Sequence, residues 1–368
     1  MNILLDNLIF SWQKSGGVSV FWENILKLAL RLKQTHQIEL IEYPNAEDNI
    51  VRKTLDLSSL STNVLCPFSF KWHRYQHLDW KAAKTPFIFH SSYYRVCTNP
   101  QAINIVTVHD FTYEHFISGP KKWLHTWQKR RSLQKADAIV CVSQNTCNDL
   151  LHFFPEIPEQ KIHIIHNGVD KSYIPKNNSE LESTRKQLHL PKQYLLFVGN
   201  RASYKQFPYA AKLAKAVNLP LVIVGAPLSK QERQLLGNLQ VVYQERNFVA
   251  NHELQAYYSL ATALVYPSLY EGFGIPVIEA QRCGCPVIAY NASSIPEVIG
   301  EDYPLLLPEL DVSVASNWIN QLLTDQSFRN SIITQGIENS LRFSWDKMQE
   351  SYQALYTQLW AEHTSQTK

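Results

Sequence analysis

Six cysteines in 368 residues (Cys66, Cys97, Cys141, Cys147, Cys283 and Cys285) are too few and too irregularly spaced for a secreted disulfide scaffold, and none has the paired spacing of a zinc site. Cys283 and Cys285 stand too close in sequence for a relaxed bridge and read as small buried residues. The chain also lacks a long hydrophobic run. The longest uncharged stretch near its C-terminal motifs, residues 254–270, is broken by Pro267 and several tyrosines, so no membrane span is expected. The N-terminus enters an apolar strand at once, with Asp6 inside it and no basic leader, which makes a poor signal peptide and leaves the cytoplasm as the expected compartment. Neither sign of charge dominates. Residues 1–170 carry 18 basic and 15 acidic side chains and the remainder 17 of each, for a formal net charge of +3. So small an excess argues against a nucleic-acid partner and places any basic surface in the first half. Low-complexity tracts, short-period repeats and charged tails are absent as well.

The composition, 45% hydrophobic and 18% charged, is that of a globular protein long enough for two cores. Short apolar runs alternate with amphipathic stretches: strands are expected at residues 2–6, 38–42, 87–91, 103–109, 138–142 and 162–165, with a helix over 17–33. The second half repeats the scheme at 194–198, 221–224, 241–242, 263–266 and 287–289. Strands separated by helices imply parallel sheets with right-handed crossovers, hence an α/β fold of two doubly wound, Rossmann-like domains. The polar, turn-rich stretch 166–178 reads as the connection between them.

One stretch organises the rest, Tyr266-Pro-Ser-Leu-Tyr-Glu-Gly-Phe-Gly-Ile-Pro-Val-Ile-Glu279. An apolar strand runs into a glycine turn, and Pro276 stands where a first helical turn tolerates a residue without an N–H. Backbone N–H groups of Gly272, Phe273, Gly274 and Ile275 would then point out of a helix N-terminus, an arrangement that suits phosphate. Glu271 and Glu279 bracket the turn, and carboxylates accept well from paired sugar hydroxyls. Ordinary turn chemistry and a favourable helix dipole would account for the same residues.

Ligands of such sheets gather at the carboxyl ends of the strands. Ser15-Gly16-Gly17 follows the first strand and opens a helix, where Gly16 and Gly17 allow close backbone approach to an anion or simply a turn. Val108-His109-Asp110 puts an imidazole at another strand end. Phe89-His-Ser-Ser-Tyr-Tyr-Arg95 offers polar and aromatic groups either to sugar hydroxyls or to packing. Phe197-Val-Gly-Asn-Arg-Ala-Ser-Tyr-Lys205 supplies Arg201 and Lys205, which a bound diphosphate would explain better than a helix start, where cations are disfavoured. Finally, residues 121–131 interleave Lys121, Lys122, Lys129, Arg130 and Arg131 with Trp123 and Trp127, as an interfacial helix would, or as solvated cations over a core-facing helix would.

The segment Glu271-Gly-Phe-Gly-Ile-Pro-Val-Ile-Glu279, continued by Ala280-Gln-Arg-Cys-Gly-Cys-Pro-Val-Ile-Ala289, resembles the donor-site signature of retaining glycosyltransferases of family 4. Thr107-Val-His-Asp110, Ala136-Asp-Ala-Ile-Val-Cys-Val-Ser143, Asn167-Gly-Val-Asp170 and Ile295-Pro-Glu-Val298 extend the resemblance over essentially the whole chain. It implies the GT-B architecture: residues 1–170 as an acceptor-side domain joined by a C-terminal helix over 345–368, and residues 171–344 as a domain that binds the nucleotide sugar. It places Glu279 on the donor ribose, Glu271 and His109 at the transferred sugar, and Arg201 and Lys205 on the diphosphate, helped by Gly16, Gly17 and the N–H groups that follow Gly272. Family members often have Arg directly after the glycine, where this chain has Asn200, so Lys205 is the firmer of the two cations. No Asp-x-Asp stands at a strand end of the second half, and transfer without a metal cofactor is expected. The resemblance further implies a GDP- or UDP-sugar donor and a glycan or lipid-linked glycan acceptor in surface polysaccharide assembly, similar to bacterial mannosyltransferases, with peripheral contact to the inner face of the membrane as one expectation. A nucleotide-sugar epimerase of the same architecture, or a non-catalytic nucleotide-sugar binding protein, are the alternatives.

Overall fold

The apolar runs become strands of two parallel sheets in the computed structural model, which describes residues 1–247, 249 and 251–366. The chain divides into two units, residues 1–167 with 345–368 and residues 168–344. The last residues of the expected 345–368 segment, Thr367 and Lys368, lie outside the described residues, as do Phe248 and Ala250 in the second half.

In the first unit the strands are β1 (Asn2–Asp6), β2 (Gln37–Glu42), β3 (Ser61–Val64), β4 (Phe87–Ser91), β5 (Ala102–Val108), β6 (Ala138–Cys141) and β7 (Ile162–Ile164), in the order β3-β2-β1-β4-β5-β6-β7. Every residue of β4 and β5 is buried, as expected for central strands of a sheet covered on both faces. The edge strand β3, Ser-Thr-Asn-Val, is mostly exposed and carries no apolar alternation, which is why only the structure reveals it.

The C-terminal helix Trp345–Gln366 belongs to this first unit and packs on the helix Gly17–Leu32 and on β4 and β5. Polar groups fasten it. His90 shares hydrogen bonds of 2.7 Å with Tyr356 Oη and 3.0 Å with Thr107 Oγ1, and Thr107 Oγ1 meets Tyr352 Oη at 2.9 Å. Burial pushes the His90 imidazole down to about 3, so it is neutral in this network. The polar strand end at residues 89–95 therefore serves packing: His90 is bonded on both nitrogens, and Arg95 is fully buried against Asp6 at 3.4 Å and Tyr43 at 2.5 Å.

The second unit holds β8 (Leu195–Val198), β9 (Leu221–Val224), β10 (Tyr243–Arg246), β11 (Ala263–Tyr266), β12 (Val287–Tyr290) and β13 (Leu306–Leu307), in the order β10-β9-β8-β11-β12-β13. The strand expected at 241–242 is displaced. Val241 is buried but outside the ladder, and β10 is Tyr-Gln-Glu-Arg, half-buried along its length because it pairs with β9 alone. Strand order reverses direction between β8 and β11, which makes the carboxyl ends of these two strands the topological switch point of the sheet. Among the described residues no helix is long and apolar enough to cross a membrane.

Candidate functional site

Two loops meet at that switch point. After β8 the chain turns at Gly199, whose φ is +116°, and passes so close to β9 that a Cβ on Gly225 would lie 2.3 Å from the Gly199 carbonyl oxygen. A short 3-10 turn, Ser203–Lys205, brings Lys205 back to the loop after β11, and the Leu269 N–H donates to the Tyr204 carbonyl at 2.8 Å. Lys205 Nζ reaches Glu271 Oε1 at 2.5 Å, with both side chains largely buried. The ammonium also lies 5.5 Å from the Tyr266 ring centroid and 5.6 Å from that of Tyr204.

The glycine turn is pinned from a third loop. The Glu271 N–H donates to Ser293 Oγ at 2.8 Å, and Ser294 Oγ donates to the carbonyls of Glu271 and Phe273, each at 2.9 Å. Gly274 caps the helix Ile275–Arg282 in a left-handed conformation, φ 106° and ψ 50°, and a Cβ there would meet Ile295 Cδ1 at 3.1 Å. Only glycine combines that φ with that approach. Pro276 occupies the first turn, and no side chain caps the helix. Gly272 and Phe273 are buried, and the Phe273 ring packs edge to face on Phe343 with centroids 5.5 Å apart.

Glu279, in the second turn of that helix, is half-buried and accepts a hydrogen bond of 2.9 Å from Tyr258 Oη. Burial pushes its carboxyl up to about 7, against the lowering effect of Tyr258 and Tyr173 and with a smaller upward push from the Asp170 carboxylate.

Arg201 has other partners. Its Nε donates to Glu232 Oε1 at 2.8 Å and its Nη2 to the carbonyls of Ala226 and Pro227 at 2.7 and 2.8 Å, with 4% of the side chain exposed. Through Nε and Nη2 the guanidinium ties the loop after β9 to the start of the helix Lys230–Asn238, while its Nη1 is buried without a hydrogen-bond partner.

In the first unit, Gly16 caps the helix Gly17–Leu32 without a side-chain cap, and both glycines are exposed. His109 follows β5 and is packed edge-on by Phe21, ring centroids 4.8 Å apart. Burial pushes its imidazole down to about 4 despite neighbouring Asp110, so the ring is neutral at physiological pH. Behind it Lys129 is fully buried, donating to the Asp110 carbonyl at 2.9 Å and to Glu114 Oε2 at 2.8 Å. Lys129 is thus a strut for the His109-Asp110 strand end. It is no part of a basic surface, a correction to the grouping of Lys129 with Arg130 and Arg131. Trp123 and Trp127, by contrast, are 68% and 40% exposed and stack with centroids 6.4 Å apart, Arg131 lying 5.1 Å from the Trp127 ring.

Residues 15–173 match the family described as Glycosyltransferase Family 4, and residues 179–339 match Glycosyl transferases group 1. The chain belongs to the family 4 glycosyltransferases. Relatives of this glycosyltransferase include the O-antigen chain mannosyltransferase B of Escherichia coli, 28% identical over 263 residues that make up 68% of this chain and 67% of that one. The alpha-maltose-1-phosphate synthase of Mycolicibacterium smegmatis is 27% identical, over 63% of this chain and 65% of its own. The serotype-specific mannosyltransferase WbdA of Escherichia coli is 26% identical over 63% of this chain, a stretch that spans only 30% of WbdA. Among solved structures, HepE of Anabaena in complex with UDP and glucose superposes with a TM-score of 0.75 at 16% identity, covering 97% of this chain and all of that one. Sucrose-phosphate synthase of Thermosynechococcus elongatus gives 0.70 at 20% identity, covering 98% and 100%. At these identities the likeness shows the fold, which is GT-B.

Within the second unit of the glycosyltransferase, the fold brings Lys205 to Glu271 and leaves Arg201 in other company. Glu271, Gly272, Phe273, Gly274, Ile275 and Glu279 follow β11 as one continuous turn and helix start. Ser293, Ser294, Tyr258 and Tyr173 also shape the site, and sequence reasoning passed them over. The serines had one signal, a polar pair just ahead of the Ile295-Pro-Glu-Val298 motif. The tyrosines had none, since neither stands in a recognisable motif.

Proposed function

We propose that this glycosyltransferase moves a hexose, with retention of anomeric configuration and without a metal ion, from a GDP- or UDP-linked donor to a hydroxyl of a glycan or lipid-linked glycan, in the assembly of a cell-surface polysaccharide. The observation that carries this reading is the meeting of Lys205 and Glu271 at the switch point of the second sheet, beside the uncapped N-terminus of the helix Ile275–Arg282. A nucleoside diphosphate leaves with growing negative charge as the glycosidic bond breaks. A fixed ammonium and the N–H groups of a helix start stabilise that charge more in the transition state than in the ground state. They also supply the positive charge that a divalent ion would otherwise provide. Glu279 is assigned to the nucleoside ribose, Glu271 to the transferred sugar, and His109, neutral and held by the strut of Lys129, to hydrogen bonding with substrate.

In this mechanism the acceptor oxygen forms its bond to the anomeric carbon on the face from which the diphosphate departs, and a phosphate oxygen takes the acceptor proton. No protein nucleophile is needed. The name of one relative, a mannosyltransferase of O-antigen chains, supports a hexosyl donor and a polysaccharide product. The exposed Trp123–Trp127 stack with its flanking cations supports a peripheral membrane contact near a lipid-linked acceptor.

The test is transfer from GDP-mannose and UDP-glucose to oligosaccharide acceptors in excess chelator, with the product anomer assigned by NMR. Retained configuration and undiminished turnover are expected. An inverted product, or activity that returns only with Mg2+ or Mn2+, overturns the mechanistic part of the proposal.

A further inference from the structure

Two buried tyrosines stand behind Glu279. Tyr258, near the end of the helix Asn251–Leu260, is fully buried and donates its hydroxyl to Glu279 Oε2 at 2.9 Å. Tyr173, 2% exposed, has its ring 6.3 Å from that of Tyr258. Its hydroxyl comes close enough to act on the Glu279 charge yet makes no hydrogen bond. A buried phenol without a partner is costly, and most such groups in native proteins are satisfied. An ionised carboxylate offers about four acceptor positions, so one phenol leaves room both for the second and for ligand hydroxyls.

We propose that Tyr258 and Tyr173 are positioning residues for the donor: Tyr258 holds one carboxylate oxygen of Glu279 so that the other is presented to the ribose diol of a nucleoside diphosphate, and Tyr173 closes the clamp as the ligand binds. The proposal rests on the assignment of Glu279 to the ribose.

The physical reason is a contest over the Glu279 charge. Burial and, to a smaller extent, the Asp170 carboxylate favour the neutral acid. The two phenols favour the anion. A diol needs acceptors, and the ionised form has more of them than the neutral form. Nucleoside diphosphate affinity should therefore climb with pH through about 7, where the Glu279 carboxyl titrates. Removing a phenol hydroxyl should carry that climb to higher pH.

The experiment is calorimetric titration of the full chain with UDP, GDP and ADP between pH 6 and pH 9, the tightest binder being carried into the variants. Tyr258→Phe should weaken binding about fivefold at pH 7, with the loss fading toward pH 9 and the midpoint displaced upward by about one pH unit. Tyr173→Phe should move the midpoint in the same sense by less. Circular dichroism melts report whether each variant is folded. A loss that is uniform across pH, or affinities unchanged in both variants, overturns the clamp. Glu279→Gln separates the two levels of the argument. If it binds like the unmodified protein, the ribose assignment fails; if it binds weakly while both phenylalanine variants behave like the unmodified protein, the clamp alone fails.

Discussion

Lys205 Nζ and Glu271 Oε1 stand 2.5 Å apart although 66 residues separate them in the chain, and each comes from the loop beyond one of the two strands that flank the switch point. The ammonium assigned to the diphosphate is thus paired with the carboxylate assigned to the sugar. An anion that binds Lys205 must share it with Glu271 or displace it.

This competition predicts opposite effects on binding and turnover. In Glu271→Gln, Lys205 keeps a neutral neighbour and loses its counter-charge, so a nucleoside diphosphate should bind about fivefold more tightly, as expected for an ion pair worth about 1 kcal/mol. Sugar transfer should fall at least about a hundredfold, the loss appearing in kcat. Calorimetry with UDP or GDP and initial-rate kinetics check the two parts. Weaker diphosphate binding in the variant would mean that Glu271 organises Lys205 for the anion.

Arg201 and Lys205, four residues apart, should separate cleanly. Lys205→Ala should weaken nucleoside diphosphate binding by at least about tenfold, with a loss of stability from the unpaired, largely buried Glu271 that is smaller than in Arg201→Ala, which removes three polar contacts. Arg201→Ala removes a clamp on Glu232, Ala226 and Pro227 and should lower stability by about 3 kcal/mol, with a much smaller effect on diphosphate affinity. Thermal melts paired with calorimetry distinguish them, and a stable Arg201→Ala that fails to bind diphosphate would show that Arg201 binds the anion directly.

Glu279 should make the ligand-free protein less stable as pH rises. Its carboxyl titrates near 7 in the folded chain and near 4.5 in an ordinary setting, so between these values the folded state holds the proton that the unfolded state has released. Stability then falls as pH climbs through that window, with the penalty absent below it and complete above it, at most about 3 kcal/mol. Glu279→Gln lacks the titration. Relative to the unmodified protein it should gain stability from pH 5 to pH 8 in urea unfolding, and an offset independent of pH would contradict the raised carboxyl.

Liposome sedimentation tests the membrane contact. Lys121→Glu with Arg130→Glu reverses two exposed cations next to Trp123 and Trp127 and should reduce binding to anionic vesicles severalfold, while added salt weakens binding of the unmodified protein. Lys129 does not belong in that panel, because its reversal would bury a second carboxylate beside that of Glu114. Binding indifferent to lipid charge would leave the tryptophan stack as an ordinary exposed surface.

The amino-acid sequence by itself determined the class of architecture and most of its strands, because central parallel strands are buried on both faces and so read as continuous apolar runs. It also determined the turn from Glu271 to Ile275, since a left-handed glycine at 274 followed by proline in a first helical turn is written in local residue types. Of the edge strands, β7 was legible, but β3 and the two-residue β13 were missed and β10 misplaced by two residues; β3 and β10 each have one open side, and nothing forces their residues to be apolar. Only tertiary structure could decide what each charged side chain does. Arg201 and Lys205 look alike along the chain, and so do Lys129 and Arg130, yet the fold assigns Arg201 to three partners around the loop after β9, Lys205 to Glu271, Lys129 to a buried carboxylate and Arg130 to the surface. The reason is range. Backbone conformation answers to neighbours a few residues away, whereas the partner and the protonation state of a charge depend on burial and on groups brought from distant segments, as Tyr258 and Tyr173 are brought to Glu279.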